Sequence, residues 1–234
     1  MENYIGNELD LFENATKWKR YYSKIFEKFI VGNIVEVGAG MGGTTSFLQN
    51  NSVQSWICLE PDNHLCSLIK IKISEEKISN TTIVINDTLK SINTKKDSII
   101  YIDVIEHIEN DKEELFQAFN LLNENGTLLI IVPAFNFLYN DFDKAIGHYR
   151  RYNKKSIRSI IPENSKIERI HYLDSAGFFT SLLNKYFLKQ KYPKLQQILF
   201  WDKVLIPLSK YILDPLFNYS FGKSLLVVLK KQDK

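Results

Sequence analysis

The chain is short of the residues that would mark several common classes of protein. It has two cysteines, Cys58 and Cys66, in 234 residues, and their context offers neither a disulfide framework nor a cysteine metal site. Six prolines are scattered, and ten glycines form no stretch longer than one short run, so no linker, low-complexity stretch or internal repeat divides the chain. No apolar run is long enough to cross a bilayer. The net charge of +3 is too small to imply a nucleic-acid partner. The opening segment MENYIGNELD is acidic and polar, unlike a signal peptide, which predicts a cytoplasmic protein. What remains is an ordinary globular composition, 44% hydrophobic and 13% aromatic, expected to fold as one domain over 1–234.

Apolar runs and helical patterns alternate along that chain. Asn14 to Val31 spaces Trp18, Tyr21, Tyr22, Ile25, Phe26 and Phe29 on one helical face. Ile34-Val35, Trp56 to Leu59, Thr82 to Ile85, Ser98 to Ile102 and Gly126 to Val132 read as strands. Helices are predicted over Thr44 to Leu48, Pro61 to Ile73, Asp111 to Leu122 and Asn153 to Ile161, and further strands over Lys166 to Leu173 and Lys223 to Lys230. Continuous apolar strands between helices argue for an α/β fold with a mostly parallel sheet covered on both faces. Such sheets bind ligands at the carboxyl ends of their strands.

The run EVGAGMGG, Glu36 to Gly43, lies at one such end. Its glycines allow close approach of backbone to a ligand, which fits a nucleoside-containing cofactor. Gly38, Gly40 and Gly43 also satisfy G-x-G-x-x-G, a weak signal that keeps NAD open. Glu60, ending the second strand, suits both ribose hydroxyls of either cofactor. Asn86-Asp87-Thr88 ends the third strand and can receive an adenine edge, with a helix cap as the plainer role of Asp87. Asp103 ends the fourth. Glu36, Glu60, Asp87 and Asp103 together would repel a pyrophosphate and suit a cofactor carrying a sulfonium and an ammonium.

With those residues in view, the chain resembles the class I S-adenosylmethionine-dependent methyltransferases from about Trp18 to Lys230. More narrowly it is similar to a bacterial subfamily with Glu106-His107-Ile108, Val132-Pro133-Ala134, Leu138-Tyr139, Asp143, the run GHYRRY from Gly147 to Tyr152, and Gly222-Lys223-Ser224-Leu225. That subfamily is often associated with glycosyltransferases. The resemblance implies a Rossmann-like seven-stranded sheet with an antiparallel last strand. It implies S-adenosyl-L-methionine as cofactor and S-adenosyl-L-homocysteine as product. Tyr21, Glu36, Gly38, Ala39, Gly40, Gly42, Glu60, Pro61, Asn86, Asp87, Thr88, Asp103, Val104 and His107 are then expected along the cofactor. Glu36 has a plainer alternative, a structural carboxylate. Asp103, Glu106 and His107 match the ligand spacing of ubiquinone-type O-methyltransferases, yet many relatives carry these letters without metal, and no metal is expected here.

For catalysis, His148, His107 and Tyr149 are the candidate acid–base groups, and Arg150, Arg151 and Tyr139 the candidate acceptor-binding groups. Of the two adjacent arginines, one is expected to face the site and the other solvent or a carboxylate. The competing reading makes the whole GHYRRY loop a latch that pins the fifth strand to the next helix through arginine–carboxylate pairs. The acceptor is expected to be a small molecule methylated on oxygen, a sugar or a sugar-containing, lipid-linked metabolite by association with the subfamily. A nitrogen acceptor, a non-catalytic cofactor-binding partner and a nicotinamide oxidoreductase are the alternatives. Asp103-Val104-Ile105-Glu106 stands where DNA amino-methyltransferases carry Asn/Asp-Pro-Pro-Tyr/Phe, which counts against base methylation. The aromatic-rich stretch 174–221 is read as a helical insert between the last two strands, a lid or wall over the acceptor site. Its aromatics serve as core and homodimer face or, alternatively, line an apolar tunnel for a lipid or lipid-linked acceptor. Lys185, Lys189, Lys191 and Lys194 leave open weak contact with an anionic membrane surface.

Overall fold

The structure, a computed structural model, describes residues 8–232; most of the opening segment behind the cytoplasmic expectation lies outside it. Seven strands form one sheet in the order β3-β2-β1-β4-β5-β7-β6. They are β1 (Gly32–Val37), β2 (Val53–Leu59), β3 (Thr82–Ile85), β4 (Lys96–Ile102), β5 (Leu122–Pro133), β6 (Ser165–Leu173) and β7 (Ser224–Lys231). All neighbours pair in parallel except β7, which runs antiparallel between β5 and β6. This is the Rossmann-like arrangement with an antiparallel last strand.

The central strands have no polar face. Leu128 to Val132 and Leu225 to Leu229 are fully buried, because side chains on both faces meet a helix layer. Under one face lie Trp56, Tyr22 and Phe26; under the other, Tyr101, Phe119 and Leu59. Each such side chain contributes roughly 1.5–3 kcal/mol on burial. The first layer includes α1 (Glu8–Glu13), α2 (Thr16–Phe26), α3 (Thr45–Leu48) and α4 (Asn63–Ser74); α5 (Asp111–Asn120) covers the second. The short α6 (Asp141–Ala145) and α7 (Lys154–Arg158) follow β5.

Several boundaries differ from the periodicity, among them the helix read over Asn153 to Ile161, which is only Lys154–Arg158. The helix expected from Asn14 to Val31 is α2 followed by a single 3₁₀ turn, Glu27–Phe29. Pro61 stays outside α4, whose cap is Asp62, accepting from Leu65 N at 3.0 Å. The helix read to Leu122 ends at Asn120, and β5 begins at Leu122 with a register shift opposite Lys96/Ser98. Asn125, at φ 62, carries the chain through that irregularity, which sequence alone presents as a loop before a strand.

The stretch 174–221 holds α8 (Ser175–Leu183), α9 (Leu195–Phe200), α10 (Ile206–Leu208) and α11 (Asp214–Leu216), with π-helical turns at Asn184–Leu188, Trp201–Leu205 and Ser209–Leu213. Two buried aspartates hold it to the body and a third ties it together internally. Asp202 accepts from Lys17 N (3.1 Å) and Trp18 N (2.8 Å), capping α2 from a distant part of the chain. Asp214 accepts from the Tyr21 hydroxyl and from the Asp174 and Ser175 amides. Asp174, left-handed at φ 66, caps α8 through Gly177 N and accepts from Trp201 Nε1 at 2.7 Å.

Candidate active site

The carboxyl ends of β1, β2 and β3 carry the glycine loop and its carboxylates. Gly38 and Gly40 have φ of 65° and 56°, which favours glycine over any residue with a Cβ. A Cβ on Gly38 would lie 2.6 Å from Val104, so Val104 packs directly on this loop. Gly40 faces Leu9 of α1, which covers the loop from above. Gly42, at φ 71, also packs tightly, since a Cβ there would meet Ile78 at 2.8 Å on the α4 side of the core. Ala39 is buried, its amide donating to Leu59 O.

Glu36 takes the structural role. It is 1% exposed and accepts from Thr44 Oγ1 (2.6 Å), Thr45 Oγ1 (2.8 Å) and Trp56 Nε1 (3.1 Å), so it ties the glycine loop to α3 and β2 from beneath. Burial raises its carboxyl, opposed by those donors. Glu60 bonds Gly40 N (2.8 Å) with one oxygen and Asp62 N (2.9 Å) with the other. Each oxygen retains lone-pair capacity, so ribose hydroxyls can still be accepted. Asn86 spends its amide on Glu60 O and Pro61 O, clamping the ends of β2 and β3. Exposed Asp87 accepts from Thr88 N with one oxygen, and Thr88 starts the next 3₁₀ turn. Tyr21 is buried with its hydroxyl committed to Asp214, a contact no local pattern indicates.

Beyond β4, a second cluster of charges assembles. Asp103, at φ 53, is open to solvent yet has protein packed around it. That surrounding protein pushes its carboxyl up, to about 6, against the pull of His148, Lys223 and Arg151. His148 Nδ1 lies 2.8 Å from Asp143 Oδ1, and its Nε2 lies 3.7 Å from Glu106 Oε1. Asp143 also accepts from Arg151 Nε at 2.8 Å. Burial would raise the Asp143 carboxyl, but His148 and Arg151 overcome it and hold it low. His107 packs edge-on against His148 with ring centroids 4.5 Å apart. Burial and then His148 lower its pKa to about 4, so its imidazole is neutral near pH 7 and a weak base. Glu106 is fully buried, and neither carboxylate oxygen accepts a hydrogen bond. Burial and the nearby Asp103 push its carboxyl far up.

The loop residues divide between latch and site. Arg150 pairs with Asp111 at 2.6 Å and donates to Glu109 O, so it fastens the loop to the start of α5 rather than facing an acceptor. Tyr149 is 54% exposed beside the Arg150 guanidinium and does not join the histidines. Tyr139 donates to His148 O at 2.7 Å and braces the loop. Arg151 is buried on Asp143, with Nη1 left without a partner. Of the sequence candidates, the structure brings together His148, His107 and Arg151, and adds Asp143, visible beforehand only as one letter of a motif. It also adds Lys223, above Trp201 at 4.6 Å, which nothing in a strand-like KSLLVVLK announces. Among the described residues, Glu106, His107 and His148 offer ligand atoms within 4.8 Å of one another and could hold a metal ion. His148 takes the place the sequence spacing suggests for Asp103. A cavity of about 760 Å³ is lined by Lys24, Lys28, Asn50, Arg169, His171 and Tyr219, none of them in this cluster.

These residues fit S-adenosylmethionine. The glycine turn, the retained acceptor capacity of Glu60 and the carboxylate of Asp103 suit a nucleoside joined to a cationic sulfur. Comparison with known proteins agrees. Residues 11–190 match the family described as a methyltransferase domain. An S-adenosylmethionine-dependent methyltransferase of Clostridium acetobutylicum superposes with a TM-score of 0.59 at 12% identity, over 94% of this chain and 92% of that one. Magnesium protoporphyrin IX methyltransferase of Synechocystis, with S-adenosylhomocysteine bound, superposes with a TM-score of 0.60 at 12% identity, over 99% and 89%. Comparison with curated proteins found none that matches. The chain therefore belongs to the methyltransferase-domain family, as an S-adenosylmethionine-dependent methyltransferase.

Proposed function

We propose that the protein methylates an oxygen of a small acceptor, a sugar or sugar-containing, lipid-linked metabolite, with His148 as the base. The observation that carries the base assignment is the Asp143–His148 contact of 2.8 Å. A buried carboxylate on Nδ1 fixes the imidazole and leaves Nε2 to take a proton. When bound along the glycine loop and Glu60, the cofactor supplies an electrophilic methyl on a positively charged sulfur. His148 takes the acceptor proton at Nε2, and Asp143 balances the charge that results. Asp103 adds negative charge near the reacting centre, and Leu9 of α1 limits water above the loop.

The test is a screen of sugar and lipid-linked acceptors with labelled methyl donor, followed by His148→Ala and Asp143→Asn. Turnover should fall about 10²- to 10⁴-fold in His148→Ala. Calorimetric affinity for S-adenosylhomocysteine should stay near that of the parent protein. Normal turnover by His148→Ala on the acceptor found would remove the base assignment.

A further inference from the structure

The stretch 174–221 has a surface unlike the rest of the molecule. Fourteen of the twenty large apolar side chains exposed among the described residues lie on it. Their order is regular. Phe200, Val204, Leu208, Ile212 and Leu216 recur every fourth residue, and all are exposed. A pure α-helix of 3.6 residues per turn would let that row drift around the axis. The wider π turns at Trp201–Leu205 and Ser209–Leu213 raise the average towards four and keep the row on one face. The opposite side, with Ile198, Trp201, Ile206 and Ser209, is buried. The preceding helix repeats the device: Phe179, Leu183 and Phe187 are 53%, 48% and 77% exposed, again four apart. The two rows join through Phe221, whose ring lies 5.7 Å from that of Phe179 and 4.8 Å from that of Phe217.

Charge selects what covers this face. The stretch contains six lysines and three aspartates, with no glutamate or arginine. Asp174, Asp202 and Asp214 are all buried, consumed in fastening the insert. Every charge that the stretch itself leaves at the surface is a lysine; Lys189, Lys191, Lys194 and Lys203 are exposed, and Asp141 adjoins only the edge near Lys185 and Lys189. A second copy related by a twofold axis would bring lysines against lysines with no acid to pair them. We propose that this apolar, lysine-rich face docks on the surface of an anionic phospholipid bilayer. The aromatic rows sink into the headgroup boundary and the lysines meet the phosphates. A row of rings, Phe221, Phe178 and Phe135, runs from this face to the end of β5, beside the site.

The test is sedimentation of the full chain with vesicles of phosphatidylcholine alone and of phosphatidylcholine mixed with phosphatidylglycerol. Neither cofactor nor acceptor is needed, so the result is separate from that of methyl transfer. Binding should be about tenfold or more stronger on the mixed vesicles and should weaken with salt. The double variants Phe187→Ser with Ile212→Ser, and Lys191→Glu with Lys194→Glu, should each lower it about tenfold or more. All four positions are exposed, and an unchanged thermal melt by circular dichroism shows that each variant folds. Failure to sediment with the mixed vesicles, or equal binding to both kinds, overturns the proposal. So does light scattering that shows a stable dimer dispersed by the phenylalanine and isoleucine changes, which would assign the face to a second copy.

Discussion

Glu36 and Glu106 make an instructive pair. Glu36 lies near the end of β1 and Glu106 just beyond its neighbour β4; both are buried to within 1% of completely, and burial raises both carboxyls. Glu36 accepts from Thr44, Thr45 and Trp56. Glu106 accepts from nothing, with His148 Nε2 3.7 Å away. Equal burial thus marks two kinds of group. The satisfied one belongs to the scaffold that shapes the cofactor loop. The unsatisfied one stands beside two histidines and three charged residues whose balance can change when ligands arrive.

The largest effect should come from emptying the satisfied site. Glu36→Ala strands two hydroxyls and an indole N–H in the interior and leaves a cavity between β1 and α3. A loss of about 3–5 kcal/mol is expected in denaturant unfolding. Because Thr44 and Thr45 end the glycine loop, affinity for S-adenosylhomocysteine should fall as well. A destabilisation below about 1 kcal/mol would mean that the loop holds its shape without this carboxylate.

His107 sharpens the contrast through pH. Its pKa is about 4 in the folded protein against 6.5 for an ordinary histidine. Between those values the unfolded chain binds a proton that the folded one does not. Its contribution to stability therefore rises with pH over that window, is complete above about 6.5, and is lost as pH falls through about 4. The span is worth about 1–3 kcal/mol once the partial exposure of the ring is allowed for. Nearby carboxyls with raised pKa values act in the opposite sense, so the readout is a difference. The stability gap between parent and His107→Gln should widen as pH climbs from about 4 to about 6.5. A gap that stays flat would show that His107 is not held neutral.

How these groups differ was only partly legible beforehand. Glycines and acids at the ends of apolar runs are local features, so β1 to β4, the glycine loop and Glu60 could be placed from neighbours in sequence. The partners of Tyr21, Arg150 and Arg151 could not, because adjacent residues in a loop carry no signal of which way each points. Arg150 and Arg151 have the same chemistry, yet one reaches Asp111 and the other Asp143. The insert's aspartates were equally silent. Asp202 caps a helix that starts at Thr16, a pairing decided by tertiary packing alone. The fourfold spacing of exposed apolar residues was present in the letters, but it suggests a buried stripe until the π turns and the burial of the other face are seen.

Arg150 supplies a smaller effect on the latch. Its ion pair with Asp111 is short, but the guanidinium side chain is 29% exposed. Arg150→Ala should cost about 1 kcal/mol or less, since a partly solvated pair gives little net stability. With the loop loosened and the reacting groups intact, KM for the acceptor should rise more than kcat falls. A loss confined to kcat would place Arg150 in the chemistry after all.

The smallest stability change should come from the unsatisfied glutamate itself. Burial keeps Glu106 protonated far above the usual carboxylate range, so the neutral amide of Glu106→Gln replaces a neutral acid of the same shape. Stability should shift by less than about 1 kcal/mol, in clear contrast to Glu36→Ala. A divalent ion held by Glu106, His107 and His148 would reverse that expectation. It would ionise the carboxyl, occupy His148 Nε2 and make the glutamine variant unable to bind it. With His148 as base, turnover of the parent should be indifferent to chelators. Turnover lost in a chelator and restored by manganese or zinc, but not restored in Glu106→Gln, would turn His148 from base to ligand. Glu106 would then have a partner, and the difference between the two glutamates would be one of occupancy rather than of design.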